Sequence, residues 1–171
     1  MKKLLFLYLG IFLLSPVSAQ DISKKYSSMT GAEGNVYFIH PNKGFKSPEI
    51  KDQLEYDITY VTSGDSVTFN FTFYNDQASP VDSIGIISEN QPAFFPAGMI
   101  YLDAHKKDNW KHRVTSRIPY DYIVTLYNQS YPYQIEVFSK GNKFTFEMKE
   151  KEWEKQSKVI KKIFDVIDLN K

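Results

Sequence analysis

Three residues of this chain, Asp103, His105 and His112, belong to types that bind metal and lie close together in the sequence. A carboxylate and two imidazoles, placed at the end of a strand and across a hairpin tip, would leave a zinc ion one open position for water. This set predicts a metal-dependent hydrolase. The alternative is that the three side chains bind nothing, because their spacing matches no specific metal-binding pattern. We expect no cofactor in that case.

A second candidate site is basic and carries an aromatic ring. Trp110, Lys111, Arg113 and Arg117 lie in a stretch that contains both arginines of the protein. Such a group can bind an anionic sugar, a phosphate or an acidic protein surface through charge and stacking. The alternative is a solvated hairpin tip, where lysines protect strand edges against mispairing. We interpret residues 106–113 as a loop or tip.

Four further aromatic residues complete the set of candidate ligand-binding side chains. Phe94 and Phe95 are adjacent in a proline-bounded segment, which we interpret as a loop that either closes the core or forms an exposed contact patch. Tyr120 and Tyr122 would share one face of an extended chain, where they could form part of a platform for a sugar ring. The region around them is predicted to be two strands that are split near Pro119.

The familiar sequence signatures of enzymes are absent. The chain has no cysteine, which excludes a catalytic thiol, a disulfide and a lipid-modified cysteine after a leader. It also contains no Gly-x-Ser-x-Gly elbow, no phosphate-binding glycine loop and no His-Glu-x-x-His pair. These absences favour a non-enzymatic protein.

The first 19 residues have the three-part layout of a secretory signal peptide. Lys2 and Lys3 precede an apolar run from Leu4 to Leu14, and small residues ending at Ala19 supply a cleavage site. The run is shorter than the roughly 20 residues that a membrane-spanning helix needs. A buried N-terminal helix is the alternative. We predict an exported protein, periplasmic or secreted, with no transmembrane segment after cleavage.

The remaining chain is predicted to be one domain. Residues 20–34 are polar and small, and we interpret them as a flexible lead-in to a domain over residues 35–171. Two hairpins are predicted from strict alternation, one from Leu54 to Phe73 and one from Gln134 to Met148. Apolar residues at helical spacing then predict an amphipathic helix over residues 149–168. The expected fold is mainly β, an antiparallel β-sandwich or small β-barrel of about eight strands with this helix packed on it.

These observations together predict an exported, non-enzymatic binding or accessory protein of the cell envelope or extracellular space. Its partner would be a protein or glycan there, and the sequence does not predict its oligomeric state. Removing Lys2 and Lys3 with the signal changes 21 basic and 20 acidic residues to 19 and 20, a balance that argues against nucleic acid as a partner. Besides the hydrolase, one alternative is a lipocalin-like carrier whose cavity is lined by Tyr56, Phe69, Phe71 and Phe73.

Overall fold

The computed structural model describes residues 22–50, 52–89, 92–104 and 109–171. The predicted signal peptide over residues 1–19 lies outside the described residues. A short 3₁₀ helix, Ile22–Lys24, comes first. The strands that follow in chain order are β1 (Tyr26–Gly31), β2 (Gly34–Lys46), β3 (Gln53–Val61), β4 (Ser66–Asn75), β5 (Ser83–Ile87), β6 (Ala93–Ala104), β7 (Trp110–Pro119), β8 (Gln134–Ser139) and β9 (Asn142–Phe146). The two α-helices are α1 (Tyr120–Asn128) and α2 (Glu150–Asp168).

The fold is mainly β with a C-terminal helix, as the sequence predicted. The nine strands form one antiparallel sheet in the order β1-β2-β3-β4-β7-β6-β5-β8-β9. Strand β6 connects the two parts of this sheet. The first four residues of β6 pair with β5, and the residues after Pro96 pair with β7. Among the described residues, one isolated bridge between Lys46 and Glu147 connects β2 to the segment after β9. The sheet is therefore strongly curved but not closed along its length.

The alternation of the central strands explains which face is buried. Odd-numbered apolar residues of β4 from Val67 to Phe73 are fully buried, while the intervening Thr68 and Asn70 are half-buried on the other face. We call the buried side the inner face and the other side the outer face. Helices α1 and α2 lie against the inner face, where Trp153 stacks on Tyr127. Burying so many aromatic side chains supplies a large share of the driving force for folding.

Three local predictions differ from the structure. The lead-in over residues 20–34 was expected to be flexible, but its described part contains the 3₁₀ helix and β1. The predicted strand over residues 122–127 is the helix α1, whose buried residues recur at helical spacing. The residues around Phe94 and Lys111, which were predicted to be loops, belong to β6 and β7. The charged residues around Lys111 are compatible with a strand, because the exposed face of a strand carries polar or charged side chains. Among the described residues, neither helix has both the length and the hydropathy needed to cross a membrane.

Candidate functional site

The predicted metal ligands Asp103 and His112 project from opposite faces of the sheet. Asp103 pairs with Lys111 in the register of β6 and β7, whereas His112 pairs with Leu102, one position along each strand. Successive side chains of a strand point to opposite faces, so these two groups cannot ligate one ion. His105 lies outside the described residues. Among the residues that the structure describes, no three His, Asp or Glu side chains form a group that could hold a metal.

His112 has a structural environment on the inner face. Its ring stacks on Phe73, with ring centres 4.7 Å apart, and its Nδ1 lies 3.1 Å from the Trp110 carbonyl oxygen. Only 1% of the residue is exposed. Burial lowers the pKa of His112 below its ordinary value of 6.5, because the charged imidazolium loses its hydration inside the protein. The ring is therefore held neutral as part of the core.

The predicted basic group is divided between the two faces of β7. Trp110 lies on the same face as His112, whereas Lys111, Arg113 and Arg117 lie on the outer face. The Lys111 ammonium lies 5.2 Å from the centre of the Tyr101 ring. The neighbouring Tyr101 side chain raises the pKa of Lys111 above its ordinary value of 10.5. Trp110 and the basic side chains therefore do not form one common surface.

Arg113 forms an ion pair within the fold. Its guanidinium donates to the Asp57 carboxylate and, at 3.1 Å, to the Thr72 hydroxyl. Asp57 also accepts a hydrogen bond of 2.9 Å from the Asn70 amide, and its side chain is only 2% exposed. A buried carboxylate requires such partners, because an unpaired buried charge is strongly destabilising. Arg113 therefore supports the sheet.

Arg117 differs from Arg113 in being exposed and available. It lies opposite Thr68 of β4, and within the described ranges it has no ion-pair or hydrogen-bond partner. Its side chain borders an open groove of about 380 Å³ on the outer face. The neighbouring residues Pro96 and Gly98 of β6, with Thr115 of β7, line the same groove. The groove thus combines an exposed guanidinium with a largely apolar floor.

The adjacent phenylalanines also project to opposite faces. Phe95 is partly buried and packs edge-on against Tyr122, with ring centres 5.5 Å apart. Phe94 is 61% exposed on the outer face, and its ring lies 5.9 Å from the half-buried Phe138. A Cβ at Gly85 would lie 2.9 Å from the Phe94 ring, so only glycine lets the ring rest against the sheet. The Phe94 ring is thus exposed to solvent, and it lies against Gly85 and Phe138.

Tyr120 and Tyr122 do not form a platform, because they lie on α1 and not on a strand. Tyr120 is 3% exposed, and its hydroxyl donates to the Asp168 carboxylate at 3.0 Å. The Lys171 ammonium lies 3.5 Å from the centre of its ring. Burial raises the pKa of Tyr120, and the neighbouring Asp168 carboxylate raises it further. Tyr120 therefore fastens the end of the chain to the core.

The inner face is occupied by packed aromatic rings. The Tyr56 and Phe69 rings stack with their centres 5.4 Å apart, and the Tyr127 hydroxyl donates to the Tyr56 hydroxyl at 3.0 Å. Tyr56 in turn donates to Gln156 of α2 at 2.9 Å. The four residues assigned to a carrier cavity, Tyr56, Phe69, Phe71 and Phe73, are all fully buried. Their mutual packing gives the carrier alternative no support.

A larger groove of about 690 Å³ lies where β2 approaches the start of α2. Charged residues of both signs border it, including Lys46, Lys149, Glu147 and Glu152. Among the described residues that line this groove there is no aromatic ring. It offers neither a stacking surface nor charge of a single sign.

We define the β6–β7 outer face as the surface formed by Phe94, Pro96, Gly98, Thr115 and Arg117. The sequence singled out Phe94 and Arg117 but not the other three, because grouping residues of β6 with residues of β7 requires the register of the two strands. No protein-family model, curated protein or solved structure matches this chain. The function is therefore inferred from the chemistry of this face.

Proposed function

We propose that this chain is an exported, non-enzymatic protein that binds an acidic glycan on its β6–β7 outer face. The single observation that supports this proposal is the exposed Phe94 ring on the same face as Arg117, which has no ion-pair partner among the described residues. A glycan with carboxylate groups presents apolar C–H faces and negative charges in alternation along its length. The face offers an aromatic ring for the first and a guanidinium for the second.

Phe94 supplies a surface for stacking. The ring is already supported by Gly85 and Phe138, so little side-chain freedom is lost when a ligand covers it. Residues two apart on a strand are separated by about 7 Å, so the row from Phe94 to Gly98 extends about 14 Å. That length accommodates a short oligosaccharide, with Pro96 in the middle of the row.

Arg117 supplies the charge. A guanidinium and a carboxylate form two parallel hydrogen bonds, which are stronger than bonds between neutral groups. Because Arg117 has no partner to lose among the described residues, a ligand carboxylate would gain this interaction without breaking an existing one. The hydroxyls of Thr68 and Thr115 flank the guanidinium on β4 and β7 and can hydrogen-bond sugar hydroxyls.

The open form of the groove supports binding over catalysis. It is a shallow surface depression, and a reaction that requires water to be excluded needs a more enclosed site. The described residues that line it include no carboxylate, whereas glycoside hydrolysis ordinarily uses two carboxyl groups on either side of the bond. The groove therefore favours a binding module.

Affinity electrophoresis in gels that contain a polysaccharide tests this proposal. The full chain is expressed in an exporting host, and the purified protein is run with polygalacturonate, alginate, hyaluronan or a neutral galactan. We expect retardation by at least one acidic polysaccharide, weakening as salt rises, and none by the galactan. Arg117→Ala and Phe94→Ala should each abolish the retardation.

The matched control is Lys46→Ala, which removes a cation from the larger groove. This variant should be retarded as strongly as the unchanged protein. Equal retardation of the Arg117→Ala protein would contradict the proposed site. Absence of retardation with every acidic glycan, together with capture of a protein partner that depends on Phe94, would assign the face to protein binding instead.

Export is the part of the proposal that depends on residues 1–19. N-terminal sequencing of the protein recovered outside the cytoplasm of an exporting host should read from Gln20. Protein retained in the cytoplasm with Met1 at its start would contradict export.

A further inference from the structure

Strand β1 is an edge strand without the usual protection. It pairs with β2 on one side and, among the described residues, has no strand on the other, and five of its six residues are exposed. Natural edge strands are commonly protected by a charge or a proline. Residues Tyr26–Gly31 read Tyr-Ser-Ser-Met-Thr-Gly and contain neither. An exposed, uncharged edge of this kind can accept another strand.

The hydrogen bonds between β1 and β2 show which backbone groups are free. The His40 N–H donates to the Lys25 carbonyl at 2.9 Å, so these opposite residues form a hydrogen-bonded pair. Such pairs alternate along an antiparallel ladder, which makes Ser27 and Met29 hydrogen-bonded to β2 as well. The N–H and C=O groups of Tyr26, Ser28 and Thr30 therefore point away from the sheet.

We propose that two copies of this chain pair through β1, antiparallel and about a two-fold axis at Ser28. In this register Ser28 lies opposite Ser28 of the second copy, and Tyr26 lies opposite its Thr30. All three pairs then join outward-pointing N–H and C=O groups. The two copies thus contribute the same surface to the interface, as two-fold symmetry requires.

The charges at the two ends of β1 select this antiparallel arrangement. Lys24 and Lys25 precede the strand, Glu33 lies in the turn that follows it, and all three are exposed. Antiparallel pairing brings the lysines of one copy beside the Glu33 of the other, twice in the dimer. A parallel arrangement would instead place lysines beside lysines. Opposite charges across an interface fix its register in this way.

Exposed apolar side chains at the same edge are covered by this pairing. Met29 is 69% exposed and Phe38 is 37% exposed, and both lie on the outer face. In the proposed register Met29 of one copy lies opposite Ser27 of the other. Ser27 is small, and its neighbour on β2 is Phe38. The flexible Met29 side chain can therefore reach over Ser27 to contact the Phe38 ring.

Cysteine cross-linking tests the register directly, because the chain contains no cysteine of its own. Opposite residues in a hydrogen-bonded pair have Cα atoms about 5.5 Å apart, which suits a disulfide. Ser28→Cys should therefore form a covalent dimer under mild oxidation. The matched control is Thr30→Cys on the same edge, whose two copies would lie about 14 Å apart. Equal cross-linking of the two variants would overturn the proposal.

Charge exchange tests the same interface without a covalent bond. Sedimentation should show a dimer for the unchanged protein and at least tenfold weaker association for Glu33→Lys and for Lys24→Glu with Lys25→Glu. An equal mixture of these two variants should recover the dimer, because each restores the opposite charges of the other. If the two variants failed to dimerise because they were misfolded, mixing them would not recover the dimer. A monomeric unchanged protein, or a mixture that stays monomeric, would overturn the proposal.

Discussion

Arg113 of β7 reaches across β4 to the carboxylate of Asp57 on β3. The ion pair thus fixes three neighbouring strands on the outer face, with Thr72 and Asn70 of β4 completing its hydrogen bonds. Arg117 projects from the same face of the same strand, four residues later, without such a partner in the described ranges. The two arginines of this protein therefore have different roles. Arg113 stabilises the sheet through its ion pair, whereas the Arg117 side chain is exposed.

Replacing each arginine by alanine should separate stability from binding. Arg113→Ala leaves the Asp57 carboxylate buried without its cation, and losing one partner of such a pair costs about 3–5 kcal/mol. Arg117→Ala removes an exposed side chain and should change the unfolding free energy by less than about 0.5 kcal/mol. Urea unfolding of both variants measures the difference. Equal effects on stability would contradict these assignments.

The buried tyrosine hydroxyls should contribute measurably to stability. Tyr133 donates to Tyr127 at 3.3 Å, and Tyr127 donates to Tyr56. Tyr127→Phe keeps the ring but leaves the Tyr133 hydroxyl without its acceptor, which should cost about 1–3 kcal/mol. The control is Tyr131→Phe, since Tyr131 is 57% exposed. A Tyr127→Phe protein as stable as this control would show that the network contributes nothing.

His112 should make the folded state sensitive to mild acid. Its pKa is lowered in the folded protein, so the unfolded chain takes up a proton first as the pH falls below about 6.5. Stability is therefore present above that pH and is lost below it, by up to about 1.4 kcal/mol per pH unit. His112→Gln should flatten this dependence between pH 7 and 5.5 in urea unfolding. His40→Gln, a control near the surface, should retain it.

Gly85 should affect binding through the position of Phe94. A methyl group at residue 85 would lie 2.9 Å from the Phe94 ring, so Gly85→Ala should displace the ring from the sheet. We expect glycan affinity to fall at least fivefold in titration calorimetry while the protein remains folded. Gly31→Ala is the control, because its added methyl would make only an ordinary contact of 3.7 Å. Unchanged affinity of the Gly85→Ala protein would argue against stacking on Phe94.

The sequence predicted those elements whose burial follows a simple period. Alternation from Leu54 to Phe73 predicted β3 and β4, and apolar residues from Trp153 to Ile167 predicted α2. The helix α1 was missed because nine residues rich in tyrosine and β-branched side chains fit both periods. The start of β7 was interpreted as part of a tip over residues 106–113 because Lys111 and Arg113 are charged, although an exposed strand face accepts such residues.

The candidate site was only partly predictable, for a physical reason. Residue type marks Arg113 and Arg117 as equally able to bind an anion. What distinguishes them is Asp57, which is 56 positions away in the chain and reaches Arg113 only through the pairing of β3, β4 and β7. The opposite orientations of Asp103 and His112 likewise depend on the register of β6 with β7. Pairing between distant strands is not encoded in local spacing.

A titration followed by nitrogen–proton NMR tests the central claim most directly. The ligand is an oligosaccharide of the acidic glycan that retards the protein in affinity electrophoresis. We expect the largest shift changes at the amides of Gly98, Thr115 and Arg117, and at Phe94, because the ligand would cover the β6–β7 outer face. The backbone around Lys46 and Met148 in the larger groove should stay unchanged. Shift changes confined to that groove, or spread without regard to either face, would contradict glycan binding at Phe94 and Arg117.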